Sequence, residues 1–167
     1  MKTINITLPV ADEQIKNLQF GDRVMLTGTI YTARDAAHKR MCEAIENGEE
    51  LPFDIKGSAI YYAGPTPTRE GQVIGSIGPT TSGRMDRYTP ALLDRGLKIM
   101  IGKGERSQEV IDSIRQNKAI YLGAIGGAGA LLSKCVKSCE IIAYADLGTE
   151  AVRKLYVENM PLVVINN

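Results

Sequence analysis

Three short stretches of this 167-residue chain set a cation at a glycine-containing turn or a helix start: Thr32-Ala33-Arg34-Asp35, Gly78-Pro79-Thr80-Thr81-Ser82-Gly83-Arg84 and Gly102-Lys103-Gly104. Where a strand gives way to a helix, unpaired backbone N–H groups and the helix dipole converge, so such junctions are natural anion sites. An arginine fork adds a bidentate grip on a carboxylate, at about twice the strength of a neutral hydrogen bond. Two such grips at a fixed separation suit a dicarboxylate, and Arg34 and Arg84 are the candidates. Singly, each arginine reads as a surface residue, because charged side chains are mostly exposed. The coincidence of three cation-bearing junctions carries more weight than any one of them.

The one histidine, His38, follows Arg34 by a helical turn and shares its face, with Asp35 close enough to orient it. It is a candidate acid–base group near neutrality, against the plainer reading of a structural helix histidine. Thr80 and Thr81 are either cap and loop residues or reactive hydroxyls; the second role requires neighbouring cations that stabilise the ionised form. Two phosphate motifs do not fit. Lys103 lacks the spaced glycine before it and the Ser/Thr after it that a P-loop needs, and the segment 123–129 has no G-x-G-x-x-G, so it reads as a tight packing turn. Cys42, Cys135 and Cys139 make an odd number, which favours thiols over a secreted disulfide framework. Cys135-x3-Cys139 has a suggestive spacing, but a closed metal site takes about four ligands and His38 is far away, so no metal site is assigned to this chain.

The elements that position these residues follow from periodicity and punctuation. Ile4, Ile6, Leu8 and Val10 alternate with polar neighbours as in a half-buried strand, and the β-branched run 23–31 predicts a second. Thr32 with Asp35 reads as a capping pattern for a helix whose face is Ala37, Met41, Ala44 and Ile45 and which stops at Gly48. Runs 58–63 and 72–77 each close on Gly-Pro and predict strands with related exits. Thr89-Pro90 opens a short helix over 91–95, and 97–101 is a buried strand. Ser107 caps a helix to residue 117, 119–122 is a strand, and 130–134 a short helix. Strands at 136–145, 151–157 and 162–165 complete an α/β pattern, a mixed sheet with flanking helices. No linker or low-complexity tract interrupts it, so residues 1–167 read as one domain.

Composition narrows the partners. Twenty basic against nineteen acidic residues leave a formal +1, and aromatics make up 5%, so neither the field nor the stacking surface of a nucleic-acid binder is present. No stretch approaches the roughly 20 apolar residues of a membrane span, and the opening MKTINITLPVADEQ lacks a secretory apolar core. A cytoplasmic protein is expected.

The blocks TGTIYTARDAAHKR (27–40), YYAGPTP (61–67), GSIGPTTSGRMD (75–86) and MIGKGERS (100–107), in that order and spacing, resemble the C-terminal domain or separate beta subunit of class I, iron–sulfur fumarases and the related L-tartrate dehydratases. The resemblance spans residues 3–165. It implies a swivelling β/β/α domain that closes over a 4Fe-4S cluster held by a partner alpha subunit, in a heteromer such as two alpha and two beta chains. It implies a hydro-lyase of the tricarboxylic acid cycle, reversibly hydrating fumarate to L-malate and active only with that partner. On the matching positions, Arg34, Arg84 and Lys103 resemble the cations that bind substrate carboxylates. Thr80 resembles the hydroxyl that takes a proton from the carbon beside a carboxylate, and Thr81 its hydrogen-bonding neighbour. Tartrate is the alternative substrate, and a non-catalytic dicarboxylate- or anion-binding module is the alternative of another class.

Overall fold

The computed structural model describes residues 2–124 and 129–167. Among them the order is β1 (Thr3–Thr7), α1 (Asp12–Ile15), β2 (Arg23–Thr32), α2 (Asp35–Glu46), β3 (Ala59–Tyr61), α3 (Thr89–Leu93), β4 (Ile99–Gly102), α4 (Gln108–Gln116), β5 (Ile120–Gly123), α5 (Gly129–Ser133), β6 (Val136–Ala143) and β7 (Val152–Asn166). Single 3-10 turns lie at Ser82–Met85 and Ala145–Glu150. The expected α/β class, a mixed sheet with flanking helices, is what forms. No helix among the described residues is long and apolar enough to cross a membrane.

Strands β1 to β5 pair in parallel, β1 and β3 both against β2, then β3 with β4 and β4 with β5. β7 runs antiparallel to both β5 and β2, so the pairings run round a ring β2–β3–β4–β5–β7, with β6 added antiparallel on β7. Burial alternates along β2 with period two, Val24, Leu26, Ile30 and Thr32 pointing in. β3, β4 and β5 are buried on both faces, as parallel strands covered by helices should be. One face supplies Tyr61, Ile99, Ile101, Ile120 and Leu122 to an inner core completed by Leu155, Val157, Leu162 and Val164 of β7. The other supplies Ile60, Met100 and Tyr121 to an outer layer with Met41 of α2, Leu92 and Leu93 of α3, and Val110 and Ile114 of α4. Since β2, β3 and β4 are parallel, their carboxyl ends open at the same end of the sheet, where ligands of α/β folds collect.

Three local expectations need correction. Residues 72–77 are not a strand: both neighbours of β3 are already taken by β2 and β4, and the segment is instead pinned by Tyr61, whose hydroxyl donates to the Ile77 carbonyl at 2.6 Å. The strands expected at 151–157 and 162–165 are one, because β7 absorbs Asn159, at φ 50, in a bulge opposite Leu26 and Gly28, and Pro161 then pairs in register with Met25. Thr32 is not the cap of α2; its hydroxyl accepts from the Arg153 N–H at 3.1 Å and ties β2 to β7. The helix start is satisfied by Glu150, whose carboxylate accepts from the Ala36 N–H at 3.2 Å across 114 residues. The short α1 was not expected. Ser107, by contrast, caps α4 as its position predicts, accepting from the Val110 N–H at 3.3 Å. The packing turn expected at 123–129 falls partly on residues 125–128, outside the described residues.

Candidate functional site

The three cation-bearing stretches leave the same end of the sheet. β2 delivers Arg34 two residues past its last pair. After β3 the chain runs outward from Tyr62 and returns at Thr80, whose N–H donates to the Tyr62 carbonyl at 2.7 Å, so Thr80 sits where β3 would have continued. β4 ends at Gly102 and presents Lys103 next. Thr81 and Lys103 form an isolated parallel bridge, with the Ser82 N–H donating to the Lys103 carbonyl at 2.9 Å. Arg84, in the 3-10 turn, reaches across to α2, its Nε 2.9 Å from Asp35 Oδ2. Thus the Arg34–Asp35, Thr80–Arg84 and Lys103 tips are tied to one another. Lys103, Thr81 and Arg84 are exposed, while Arg34 and Thr80 are half-buried.

Arg34 is held from below. A Cβ on Gly64 would lie 3.3 Å from Arg34 Cδ and 2.5 Å from the Thr149 carbonyl oxygen, so the missing side chain lets Arg34 lie flat against the turn. Arg34 Nε and Asp35 Oδ1 are buried without a hydrogen-bond partner among the described residues. Each such atom costs about 1–3 kcal/mol, and folds keep such violations at places serving something besides stability. Asp35 already neutralises one Arg84 nitrogen, and the pair leaves both η nitrogens of that fork outside it.

His38 differs from expectation. It does not share a solvent face with Arg34; it is 0% exposed, its ring edge-on to Tyr62 at 5.4 Å. Its Nδ1 lies 2.9 Å from the Arg34 carbonyl, so Nδ1 carries the proton and donates, and Asp35 does not orient it. Burial holds its pKa down to about 4, against an upward pull from that carbonyl. The ring is therefore neutral at pH 7, not poised near neutrality, and it supports the Arg34 turn from within.

Beneath the tips lies a group that reading by residue type missed. Arg106 has a side chain with no exposed surface, its Nε 2.7 Å from Asp86 Oδ1. Its Nη2 donates to Thr89 Oγ1 at 3.0 Å and Tyr62 Oη at 3.2 Å, and its guanidinium carbon lies 5.2 Å and 4.8 Å from the Tyr62 and Tyr121 ring centres. Burial opposes its charge, yet Tyr62 and the Asp86 carboxylate raise its pKa further above the ordinary value. The Tyr121 hydroxyl is 2.7 Å from Ser82 Oγ and 2.8 Å from the Gly104 carbonyl, so it donates to the carbonyl and accepts from the serine. Arg106 directly precedes the cap Ser107, and that position is the one sequence signal that could have flagged it.

Thr81, Arg84 and Lys103 make an exposed shelf; among the described residues, Arg34, Thr80, Arg84 and Lys103 do not line the four surface hollows of about 460 to 500 Å³ found elsewhere. Among the described residues no three His, Cys, Asp or Glu side chains stand together to hold a metal ion. The cysteines do not fit a cluster either: Cys42 Sγ leans on the Tyr88 carbonyl, Cys135 and Cys139 pack on the inner core, and burial raises all three thiols above their ordinary pKa, away from the thiolate a metal requires.

Comparison with known proteins adds to this geometry. A family model described as the fumarase C-terminus matches residues 1–167. The chain is 45% identical over 154 residues to the aerobic class I fumarate hydratase of Escherichia coli K12, covering 91% of this chain and 28% of that protein. It is 44% identical over 155 residues to fumarate hydratase 2 of Leishmania major, covering 92% of this chain and 27% of that protein. It is 40% identical over 158 residues to a protein named as an L(+)-tartrate dehydratase beta subunit in Methanocaldococcus jannaschii, covering 91% of this chain and 81% of that one. The chain thus spans little more than a quarter of the fumarate hydratases it matches and most of the separate subunit.

Proposed function

The chain belongs to the fumarase C-terminus family, and from that premise we propose that it is the beta subunit of an iron–sulfur hydro-lyase, a single swivelling domain over residues 1–167 that works in the cytoplasm on a C4 dicarboxylate. Reversible hydration of fumarate to L-malate is the reaction favoured. What carries the proposal is the junction of three separate loops at one end of the sheet, with Arg84 ion-paired to Asp35 at 2.9 Å and Thr81 bridged to Lys103. Because this chain's donors do not fit a cluster, the 4Fe-4S group and its Lewis acidity are assigned to a partner alpha subunit.

The residues of this chain then divide the remaining work. Arg34, Arg84 and Lys103 bind the carboxylates and stabilise the extra negative charge that builds on one of them as the neighbouring carbon loses its proton. Thr80 takes that proton from the carbon. A threonine hydroxyl is a poor base alone, so cations around it must favour its ionised form, and Thr81 hydrogen-bonds beside it. His38 acts through the Arg34 carbonyl rather than by carrying protons. The exposure of Thr81, Arg84 and Lys103 supports dependence on a partner, since electrostatic catalysis needs water excluded from above.

The test is anaerobic reconstitution with a cluster-bearing alpha chain, following malate dehydration. Turnover should appear, and Arg84→Ala should remove it while the complex still assembles. Binding of a dicarboxylate by the isolated chain, with no partner restoring turnover, would favour a non-catalytic module. L-tartrate belongs in the same assay as the second substrate, because the M. jannaschii relative is matched over 81% of its length.

A further inference from the structure

We propose that the buried Arg106 is a positioning residue, whose guanidinium, locked to Asp86, fixes the Thr80–Arg84 turn relative to the Lys103 loop. This rests on the reading above for the chemistry it serves, but its geometry stands apart from it.

The two loops leave the sheet independently, and apart from the Thr81–Lys103 bridge and the Ser82 N–H bond little backbone pairing joins them. Arg106 supplies the rest at one remove, because its oxygen partners and the two rings it lies against are themselves bonded to the shelf, while its Nη1 rests on Met100 Sδ at 3.7 Å. Tyr62, reached by Nη2 and stacked under the guanidinium, accepts the Thr80 N–H on its carbonyl. Tyr121, on the other side of the guanidinium, contacts Ser82 and the Gly104 carbonyl. Asp86, whose backbone N–H closes the 3-10 turn on the Gly83 carbonyl at 3.2 Å, takes Arg106 Nε on one carboxylate oxygen and the Ser107 N–H at 2.7 Å on the other. Thr89 Oγ1, held by the Met85 carbonyl at 2.8 Å, completes the set. A lysine ammonium could meet one or two of these partners, and only a planar fork meets all of them in fixed directions.

Stability does not account for such an arrangement. A buried ion pair is often no better than apolar residues of the same volume, because desolvation offsets the attraction. What a fork does provide is direction, and directional fixing matters most where a misplacement of about 1 Å can cost on the order of a hundredfold in rate. Gly102 reinforces the same point: a Cβ there would collide with Ser82 Oγ and lie 2.8 Å from Tyr62 Cδ2, so the end of β4 is pressed against the same support.

The experiment uses Arg106→Ala and Arg106→Lys in the reconstituted complex, each with millimolar guanidinium chloride or, as control, methylammonium chloride. Arg106→Ala should lower kcat/KM by about ten- to a hundredfold, mainly in kcat. Guanidinium should recover most of the loss and methylammonium should not, because it has no fork. The second arm records amide spectra of the isolated, isotopically labelled full chain. Arg106→Ala should shift the amides of Ser82, Gly104 and Ser107 and leave those of Ile4 and Ile6 in β1 in place, and guanidinium should return them. Activity within about threefold of the parent, rescue by methylammonium as good as by guanidinium, or unmoved Ser82 and Gly104 amides would overturn the proposal. Should Arg106→Ala not fold, Arg106→Lys decides alone: lower kcat and shifted amides support the proposal, parent-like values of both overturn it. If the parent complex turns over neither malate nor tartrate, the function proposed above fails, and the amide arm still decides the positioning.

Discussion

Acidification should destabilise this chain through one identifiable proton. His38 is the single histidine, 0% exposed, and burial holds its pKa down to about 4, with Arg106 pushing the same way and the Arg34 carbonyl and Asp35 opposing. In the unfolded chain the imidazole returns to about 6.5. As pH falls below about 6.5, the unfolded state takes up a proton that the folded state refuses until about pH 4. Stability is therefore lost progressively across that window, and the loss is complete below it. A shift of about 2.5 units corresponds to roughly 3 kcal/mol in full, of which about 2 kcal/mol has gone by pH 5. Two measurements check this. The one imidazole Cε1 proton resonance should not titrate between about pH 7.5 and 5. Urea unfolding at those two values should show the parent losing about 2 kcal/mol more than His38→Phe, which keeps a ring and cancels the contribution of the carboxylates common to both. An imidazole midpoint above about pH 6 would refute the claim that desolvation governs this residue.

Three further outcomes follow from the same packing. Gly102→Ala should cost about 1–3 kcal/mol in urea unfolding, since the added methyl has to displace Ser82 or Tyr62. Glu150→Ala should cost about 1 kcal/mol in thermal unfolding, because it removes the acceptor at the start of α2, and Glu150→Gln should cost less. Lys103→Met should leave stability within about 0.5 kcal/mol, the side chain being exposed, while raising KM for the diacid by about tenfold or more in the reconstituted enzyme.

Elements whose cause is local were legible in the sequence. The β-branched run 23–31, the Ser107 cap and the apolar tetrad of β5 each carry their own signal, and each became the expected element. Those whose cause is distant were not. Ile74 and Ile77 look like strand residues, but whether they pair depends on the edges of β3 being occupied, which no window of sequence reveals. Asn159 and Pro161 look like a break, and β7 runs through them because β2 pairs with it both before and after Asn159. The cap of α2 comes from Glu150, far beyond any capping pattern.

The site divides along a similar line, and the division has a physical origin. Residues meant to meet a ligand must keep their charge or hydroxyl accessible, so type and loop position announce Arg34, Thr80, Thr81, Arg84 and Lys103. A residue that holds those loops in place works from inside, where Arg106 looks by type like any surface arginine and Tyr62 and Tyr121 look like ordinary strand core. His38 shows the same ambiguity from the other side: by type it is a proton carrier, and by burial it is a neutral donor to the Arg34 carbonyl. A buried guanidinium is costly unless every partner is in place, so Arg106 is held only while Asp86, Tyr62, Thr89 and Tyr121 stay put, and those same groups hold Thr80, Ser82 and Gly104. The constraint is mutual: the support that places the exposed tips is itself defined by the loops that carry them, which is why substitution beneath the shelf should be read out above it.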